Sequence, residues 1–420
     1  MTNDMLLEIL ESRKGKAMLS LSGIRLTKIP PEIGQLTDLE ALDLSNNQLS
    51  DLPIELSYLT NLSVLVLRRN QFRYLPSLVG SFQELSKLDI SENQLSSLSS
   101  GIGYFRNLQQ LNLSKNRLSS LPAEIEHLQN ISRLDVSSNL LKVLPAEIGK
   151  LQYLSALNLA HNHLSSLPTE IGKLKNLSTL ELSSNRISNL PIEIGKLKRL
   201  YQLDLASNQL DNLPIEFKDL YRLSKLDLSS NQFNRMPTGI RYLQNLSELN
   251  LSSNQLNDIP IEIKHLQNLL ELDLSSNNLN SLPSEITALK RLSKLNLNLN
   301  SDLEIPPEIL HKNNKPETII NYYLSNRKEP SHPLNEAKVL LVGEAGVGKT
   351  SLVKRLIDNT FNNTEHMTQG INIRPWTITT NEGPVKLNVW DFGGQEIMHA
   401  THQFFLTKRS LYLLVLNARQ

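Results

Sequence analysis

LSALNLAHNHLSSLPTEIGKLKN, residues 154–176, is one turn of a pattern that fills most of the chain. Leu154, Leu157, Leu159, Leu164 and Leu167 frame Asn162, and Pro168 follows. The frame returns every 23 residues: asparagine stands at 47, 70, 93, 116, 139, 162, 185, 208, 231, 254, 277 and 300. Proline keeps the same register at 30, 53, 76, 122, 145, 168, 191, 214, 237, 260, 283 and 306, with Ser99 as the single break. So strict a period marks a solenoid, in which no coil can bury its leucines alone and neighbours must stack. Alternating leucines read as one short strand per repeat with one face inward. Each coil turns at its Asn, whose buried amide needs partners in the backbone of its own and adjacent coils. The Leu-Pro-x-Glu-Ile-Gly segment then crosses the convex side as irregular or short helical turns.

Outward from this frame, the ends differ. Ile24 stands where the first coil would carry Asn. Residues 4–18 are expected to form an amphipathic capping helix through Leu6, Leu7, Ile9 and Leu10, and Pro306 and Pro307 close the last coil. This places a cap at 1–18 and the solenoid at 19–310. The pattern resembles the leucine-rich-repeat family, whose intracellular members have 23-residue repeats, and implies a protein partner on the repeat surface. Four residues before the ladder Asn lie Asp43, Asp89, Asp135, Glu181, Asp204, Asp227 and Asp273, interleaved with Asn112, Asn158, Asn250 and Asn296. Such a stripe could dock a basic partner; the preferred reading is a solvated face. Tyr58, Tyr104, Tyr153 and Tyr242 fall on the convex side and are expected to serve packing.

The 420 residues carry 43 Lys and Arg against 42 Asp and Glu, a net charge of +1, so nothing marks the chain for nucleic acid or an anionic membrane. With no cysteine, disulfides and thiolate metal sites are excluded. The N-terminus lacks the layout of a secretory signal, and no apolar run is long enough for a transmembrane segment. The expectation is a soluble, cytoplasmic protein.

Residues 313–327 suggest a short helix with Ile319, Ile320, Tyr323 and Leu324 on one face, followed by a Pro-containing linker, so 311–335 reads as helix and linker. A second domain, 336–420, then begins with the apolar strand Ala337–Val342. It runs into Gly343-Glu344-Ala345-Gly346-Val347-Gly348-Lys349-Thr350, and Ser351 onward continues at helical spacing. This strand–loop–helix context is the one in which G-x-x-x-x-G-K-[ST] cradles phosphates. Lys349 would reach the β- and γ-phosphates, and the Thr350 hydroxyl would bind Mg2+. Asp391 ends the strand Leu387–Trp390 and can hold a Mg2+-bound water; the Gly394 amide can contact the γ-phosphate and Gln395 can orient the attacking water. Thr368 is the candidate switch threonine, 18 residues past Thr350, and Asp391 lies 42 past Lys349.

These spacings resemble Ras-like GTPases, and GEAGVGKTSL, TQGINI and DFGGQEIMHATHQFF after a repeat array resemble the Roco family, in which a Ras-like Roc domain follows the repeats. The fold class is therefore α/β: a leucine-rich-repeat solenoid with short parallel strands on its concave face, then a partial P-loop domain. The resemblance implies GTP and GDP with Mg2+ as ligands, slow hydrolysis to GDP and phosphate, and a switch in which Thr368 and residues 393–405 rearrange. It also implies a dimerising COR domain in a longer parent; no kinase domain lies in these residues. Ser410–Gln420 reads as a fourth strand, the guanine-reading Asn-Lys-x-Asp does not occur, and a truncated sequence is expected.

His399 and His402 are read as packing or surface residues, Trp376 and Trp390 as core strand residues, and Arg374 as a solvated strand position. Two other functions stand against a GTP switch: a repeat scaffold with a non-functional nucleotide domain, and an ATP-driven switch of the repeat-bearing immune-receptor kind. The latter places its repeats after the nucleotide domain.

Overall fold

The computed structural model describes residues 3–328, 336–344, 346–362, 368, 370–380, 383–392 and 410–416. The chain divides into two units, Met1–Leu324 and Ser325–Gln420.

In the first unit, thirteen strands of three residues, β1 (Met18–Ser20) to β13 (Lys294–Asn296), follow one another at 23-residue intervals in a single parallel sheet. Register is strict: Leu19 pairs with Leu42, Leu42 with Leu65, and so on to Leu295. Each central leucine points inward and is buried, as are the leucines before and after it. The return path of each coil, expected as irregular or short helical turns, is a five-residue 3-10 turn opened by proline, as in Thr169–Lys173 after Pro168. Proline suits that position because its fixed φ matches the turn and its missing N–H is not needed there.

The coils are joined by the buried asparagines. Asn139 Nδ2 donates to the carbonyls of Leu113 (3.0 Å) and Val136 (3.1 Å), while its Oδ1 accepts the Leu118 N–H at 2.9 Å. The same three bonds recur from Asn47 to Asn300. Each carbonyl serves twice: Val136 O also accepts from Asn162 of the next coil. The residue before each ladder Asn holds a left-handed φ near 55°, as at Ser138, Ser184 and Ser230. A second, outer asparagine ladder, not anticipated from the sequence, runs along the exposed edge: Asn107, Asn130 and Asn176 each donate to a carbonyl 24 residues earlier.

The acidic stripe is in large part a turn device. Asp89, Asp135, Asp227 and Asp273 each accept, through Oδ1, the backbone N–H two residues on, and Asn112, Asn158, Asn250 and Asn296 do the same. Aspartate and asparagine share this short-range geometry, which explains their interchange. Glu181, one methylene longer, makes no such bond; burial, then Asp204 and Asp135, push its carboxyl above the usual range. Glu92 gathers Arg68, Arg69 and Lys115, and the bond from Arg69, followed by that from Arg68, holds its carboxyl down at about 2.

Three expectations need correction. The N-terminal helix, α1 (Asn3–Ser12), ends well before residue 18, and Met18 already belongs to β1; Leu6 and Leu10 are its buried contacts. The four convex-side tyrosines, expected to serve packing, are 45–67% exposed, so any packing they do is at the surface. Tyr58 and Tyr104 pack against Gly34 and Gly80 of the preceding coil, where an added Cβ would sit 3.1 Å from a ring carbon. The helix at 313–327 is not simply part of a linker. After the one-turn α2 (Pro307–Leu310), α3 (Pro316–Lys328) lays Ile319, Ile320 and Tyr323 into the solenoid core, and Tyr323 accepts the Leu282 N–H through its hydroxyl at 3.0 Å. It closes the open end of the stack, as a terminal cap must.

In the second unit, β14 (Glu336–Val342), β15 (Ile371–Thr380), β16 (Gly383–Phe392) and β17 (Ser410–Leu414) form a sheet in the order β15-β16-β14-β17. β14 is parallel to β16 and β17, and β15 is antiparallel to β16. α4 (Lys349–Asp358) buries Val353 against Val339, Leu341, Leu387 and Val389. Among the described residues, no helix is long and apolar enough to cross a membrane.

Asn139→Ala removes the donor pair of one ladder rung and orphans the buried Leu118 N–H, an expected loss of about 3 kcal/mol. Asn130→Ala removes one exposed bond and is expected to cost no more than about 1 kcal/mol. Chemical-denaturation midpoints of the two variants decide it; equal losses would show that the inner ladder holds no special position.

Candidate nucleotide site

The glycine loop leaves the C-terminal end of β14, where the sheet order sends the chain to β16 on one side and β17 on the other. Crevices at such a switch point are where open α/β sheets bind ligands. A Cβ on Gly343 would run into the Val415 carbonyl oxygen, because the segment after β17 passes directly beside the loop and Val415 N–H bonds Val342 O. Gly348, with φ of 93°, is the left-handed residue from which α4 starts. Both positions therefore exclude side chains, for different reasons.

Lys349 opens α4 and is buried. Its ammonium donates to the carbonyls of Gly343 at 2.7 Å and Glu344 at 2.8 Å, so the loop folds around the lysine's own charge. Burial lowers its pKa from the ordinary 10.5, opposed by the nearby Asp391 carboxyl. Val347 is half-buried and Glu344 exposed; Ser351 follows Thr350 within the first turn of α4.

Thr350, Thr368 and Asp391, far apart in sequence, meet here. Thr350 Oγ1 lies 2.5 Å from Thr368 Oγ1 and donates to Asp391 Oδ2 at 2.6 Å; Thr368 Oγ1 is 3.5 Å from the same oxygen. Two registers produce the meeting: Leu341 of β14 pairs with Asp391, and so does Asn372 of β15, four residues after Thr368. The other carboxyl oxygen, Asp391 Oδ1, is buried without a hydrogen-bond partner among the described residues. Hydroxyl and carboxyl oxygens around one point are the donor set of a hard cation. No group of three or more His, Cys, Asp or Glu capable of holding a metal occurs among the described residues. A cation at this place would thus draw its remaining ligands from water and from phosphate, the habit of Mg2+. The residues fit the ion. Ala345, Gly394 and Gln395, with His399 and His402, lie outside the described residues.

The other singled-out residues sit apart from this cluster. Arg374, expected as a solvated strand position, forms a two-pronged pair with Asp358 at the end of α4, at 2.7 and 2.9 Å. Trp376 and Trp390 are half-buried rather than central to the core; the Lys338 ammonium lies 4.1 Å from the Trp390 ring centre. Asp358 was missed from the sequence. Its one available signal was a carboxylate at a helix C-terminus, where the dipole disfavours negative charge and a cationic partner is expected.

Residues 338–420 match the family described as Ras of Complex, Roc, domain of DAPkinase. Leucine-rich-repeat families match residues 17–72, 91–255 and most of 245–289. A solved leucine-rich-repeat protein of Leptospira interrogans is 38% identical, with a TM-score of 0.57, over 70% of this chain and 86% of that one. This chain belongs to the leucine-rich-repeat proteins, and a Roc domain follows its repeats. An internalin of Listeria monocytogenes shares the solenoid at 26% identity and a TM-score of 0.61, over 69% of this chain and 82% of that one. Among curated proteins, the probable serine/threonine-protein kinase roco11 of Dictyostelium discoideum is 38% identical over 94 residues, 20% of this chain and 6% of its own length. The Ras-related protein Rab-18 of Caenorhabditis briggsae is 41% identical over 68 residues, 16% of this chain and 34% of its own length. The chain thus spans well under two thirds of either. Its C-terminal unit is a Ras-like Roc domain carrying the glycine loop, and its N-terminal unit is the repeat array.

Burial of the Lys349 cation has a measurable sign. With its folded pKa lowered, the unfolded chain binds more protons between that value and 10.5, so stability rises with pH across this window. Both tryptophans lie in β15 and β16, so their fluorescence follows the second unit alone. Thermal unfolding followed this way, from about pH 8 toward 10.5, is expected to show the rise in the ligand-free chain and not in Lys349→Met. Parallel curves would place the lysine's charge in solvent.

Proposed function

We propose that the chain is a guanine-nucleotide switch with slow GTP hydrolysis, coupled to a repeat scaffold that binds a protein partner in the cytoplasm. The convergence of Thr350, Thr368 and the half-satisfied Asp391 at the mouth of a glycine loop carries this reading. The proposed division of labour is a solenoid over 19–310 and a nucleotide domain from 336.

In this reading the loop amides and Lys349 hold the phosphates, with Lys349 exchanging its two carbonyl acceptors for phosphate oxygens. Thr350 and Thr368 offer their hydroxyl oxygens, and Asp391 its free Oδ1, to Mg2+ or to water bound on it. When bound, the ion neutralises charge on the phosphate oxygens. Thr368 is the residue that distinguishes triphosphate from diphosphate, because it belongs to the segment between α4 and β15 and not to the loop itself. Gln395 is assigned the attacking water, and Gly394 the γ-phosphate, from their place after Asp391 in the sequence. Dimerisation through a COR domain would belong to a longer parent.

Fluorescent GTP, GDP and ATP analogues titrated onto the full 420-residue chain with Mg2+ test the proposal. Guanine-selective binding is expected, weakened at least about tenfold in Lys349→Ala, which loses a charge-assisted phosphate contact. Asp391→Asn is expected to abolish the dependence on Mg2+. If no nucleotide binds, the chain is a repeat scaffold with a non-functional nucleotide domain.

A further inference from the structure

Asp358 is the last residue of α4, and its carboxylate stands at the negative end of the helix dipole. An uncompensated acid there weakens the helix end. Here it is compensated chiefly by the Arg374 guanidinium, whose Nη1 and Nη2 meet Oδ2 and Oδ1 at 2.7 and 2.9 Å, with a smaller contribution from Lys354. That planar, two-bond geometry fixes direction as well as distance. The bond from Arg374 also draws the Asp358 carboxyl below its usual range.

The place of the pair in the chain matters more than its strength. α4 begins at the nucleotide site with Lys349 and Thr350 and ends at Asp358. The chain then runs on to β15, which begins at Ile371 and presents Arg374 four residues in. Thr368 lies on the span so enclosed. Two ties therefore join these elements: Arg374 to Asp358, and Thr368 to Thr350 and Asp391. The first tie joins the helix that carries Thr350 to the strand that follows Thr368, and so sets how far apart the two hydroxyls can stand.

We infer that Asp358 and Arg374 are positioning residues that hold Thr368 over the cation site, and that they favour the triphosphate-bound state over the diphosphate-bound one. The inference rests on the nucleotide reading above. Lys349 and the glycine loop, which would hold the phosphates common to both nucleotides, do not depend on this tie; Thr368 does. The pair is part-exposed, so its effect is modest.

The test uses the full chain with Mg2+, a fluorescent non-hydrolysable GTP analogue and fluorescent GDP. Asp358→Asn and Arg374→Gln are each expected to weaken triphosphate binding by about three- to fivefold, the scale of an ion pair near the surface, and to leave GDP binding within about twofold. Exchange of the two charges, Asp358→Arg with Arg374→Asp, is expected to restore the ratio. Tryptophan-monitored melting of the ligand-free variants identifies a variant that has lost its fold. A merely structural pair would lower that melting point and weaken both nucleotides together, which overturns the inference, as does an unchanged ratio or a charge exchange without recovery. Wild-type chain that binds neither nucleotide overturns the nucleotide reading and the inference with it. Wild-type chain that binds both, with variants of unchanged ratio, overturns the inference alone.

Discussion

A buried primary amide has two N–H groups and a carbonyl to satisfy, and in this chain twelve of them are satisfied by the backbone of their own coil and of the coil before. Each ladder asparagine spans two turns of backbone, donating to a carbonyl of its own coil and one of the coil before, and accepting an N–H from the latter. Because each carbonyl receives two such donors, removal of a rung disturbs both neighbours. The other regularities follow. The residue before the Asn must turn left-handed to aim the amide inward, and the sequence tolerates that in serine, lysine, arginine and glutamate alike. The leucines fill the space that the turn encloses. The ends, having no further coil to offer, need helices instead, supplied by Leu6 and Leu10 of α1 and by Ile319 and Tyr323 of α3.

Much of this could be read from the sequence, and the reason is periodicity: each residue's environment repeats, so a single coil stands for all. The acid four places before the Asn illustrates the limit. Its position was legible, but its role was not, since charge suggests a partner whereas geometry makes most of these residues acceptors for the N–H two residues on. The outer asparagines at 107, 130 and 176 were hidden for a different reason. Other coils place Glu84, Tyr153 or Arg222 at that point, so the period is broken there even though the hydrogen bonds persist where Asn occurs. The helix at 316–328 showed an apolar face, which says that it packs but not upon what; its burial of Ile319 and Ile320 in the solenoid core and the Tyr323–Leu282 bond assign it to the solenoid.

The nucleotide unit was legible by another route. Its loop glycines and the Thr350, Thr368 and Asp391 triad sit at strand or helix ends, where spacing along the chain converts directly into position in space. Arg374 and Asp358 have no such rule. They lie on the side of the sheet unit, sixteen residues apart, and nothing in either residue names the other. Pairing across a helix and a strand is a property of packing, and a single sequence reveals it only as an acid placed against a helix dipole.

The two units also distribute their unmet needs differently. In the solenoid the buried asparagines find backbone partners, and the array is complete in itself. In the Roc unit a buried lysine is held by carbonyls, and a buried carboxyl oxygen has no hydrogen-bond partner. Both arrangements cost free energy, for burial of a charge is offset fully only by an opposite charge, and an orphaned acceptor forfeits its hydration. On the proposed function one ligand would remove both costs at once: phosphate would supply the anion that Lys349 faces, and its divalent cation the partner of Asp391. A ligand that binds only the folded state stabilises it by mass action. In that reading the same groups make the stability of the domain depend on its ligand. In the described part of the repeat array every ladder asparagine has backbone partners, so no such cost is carried there.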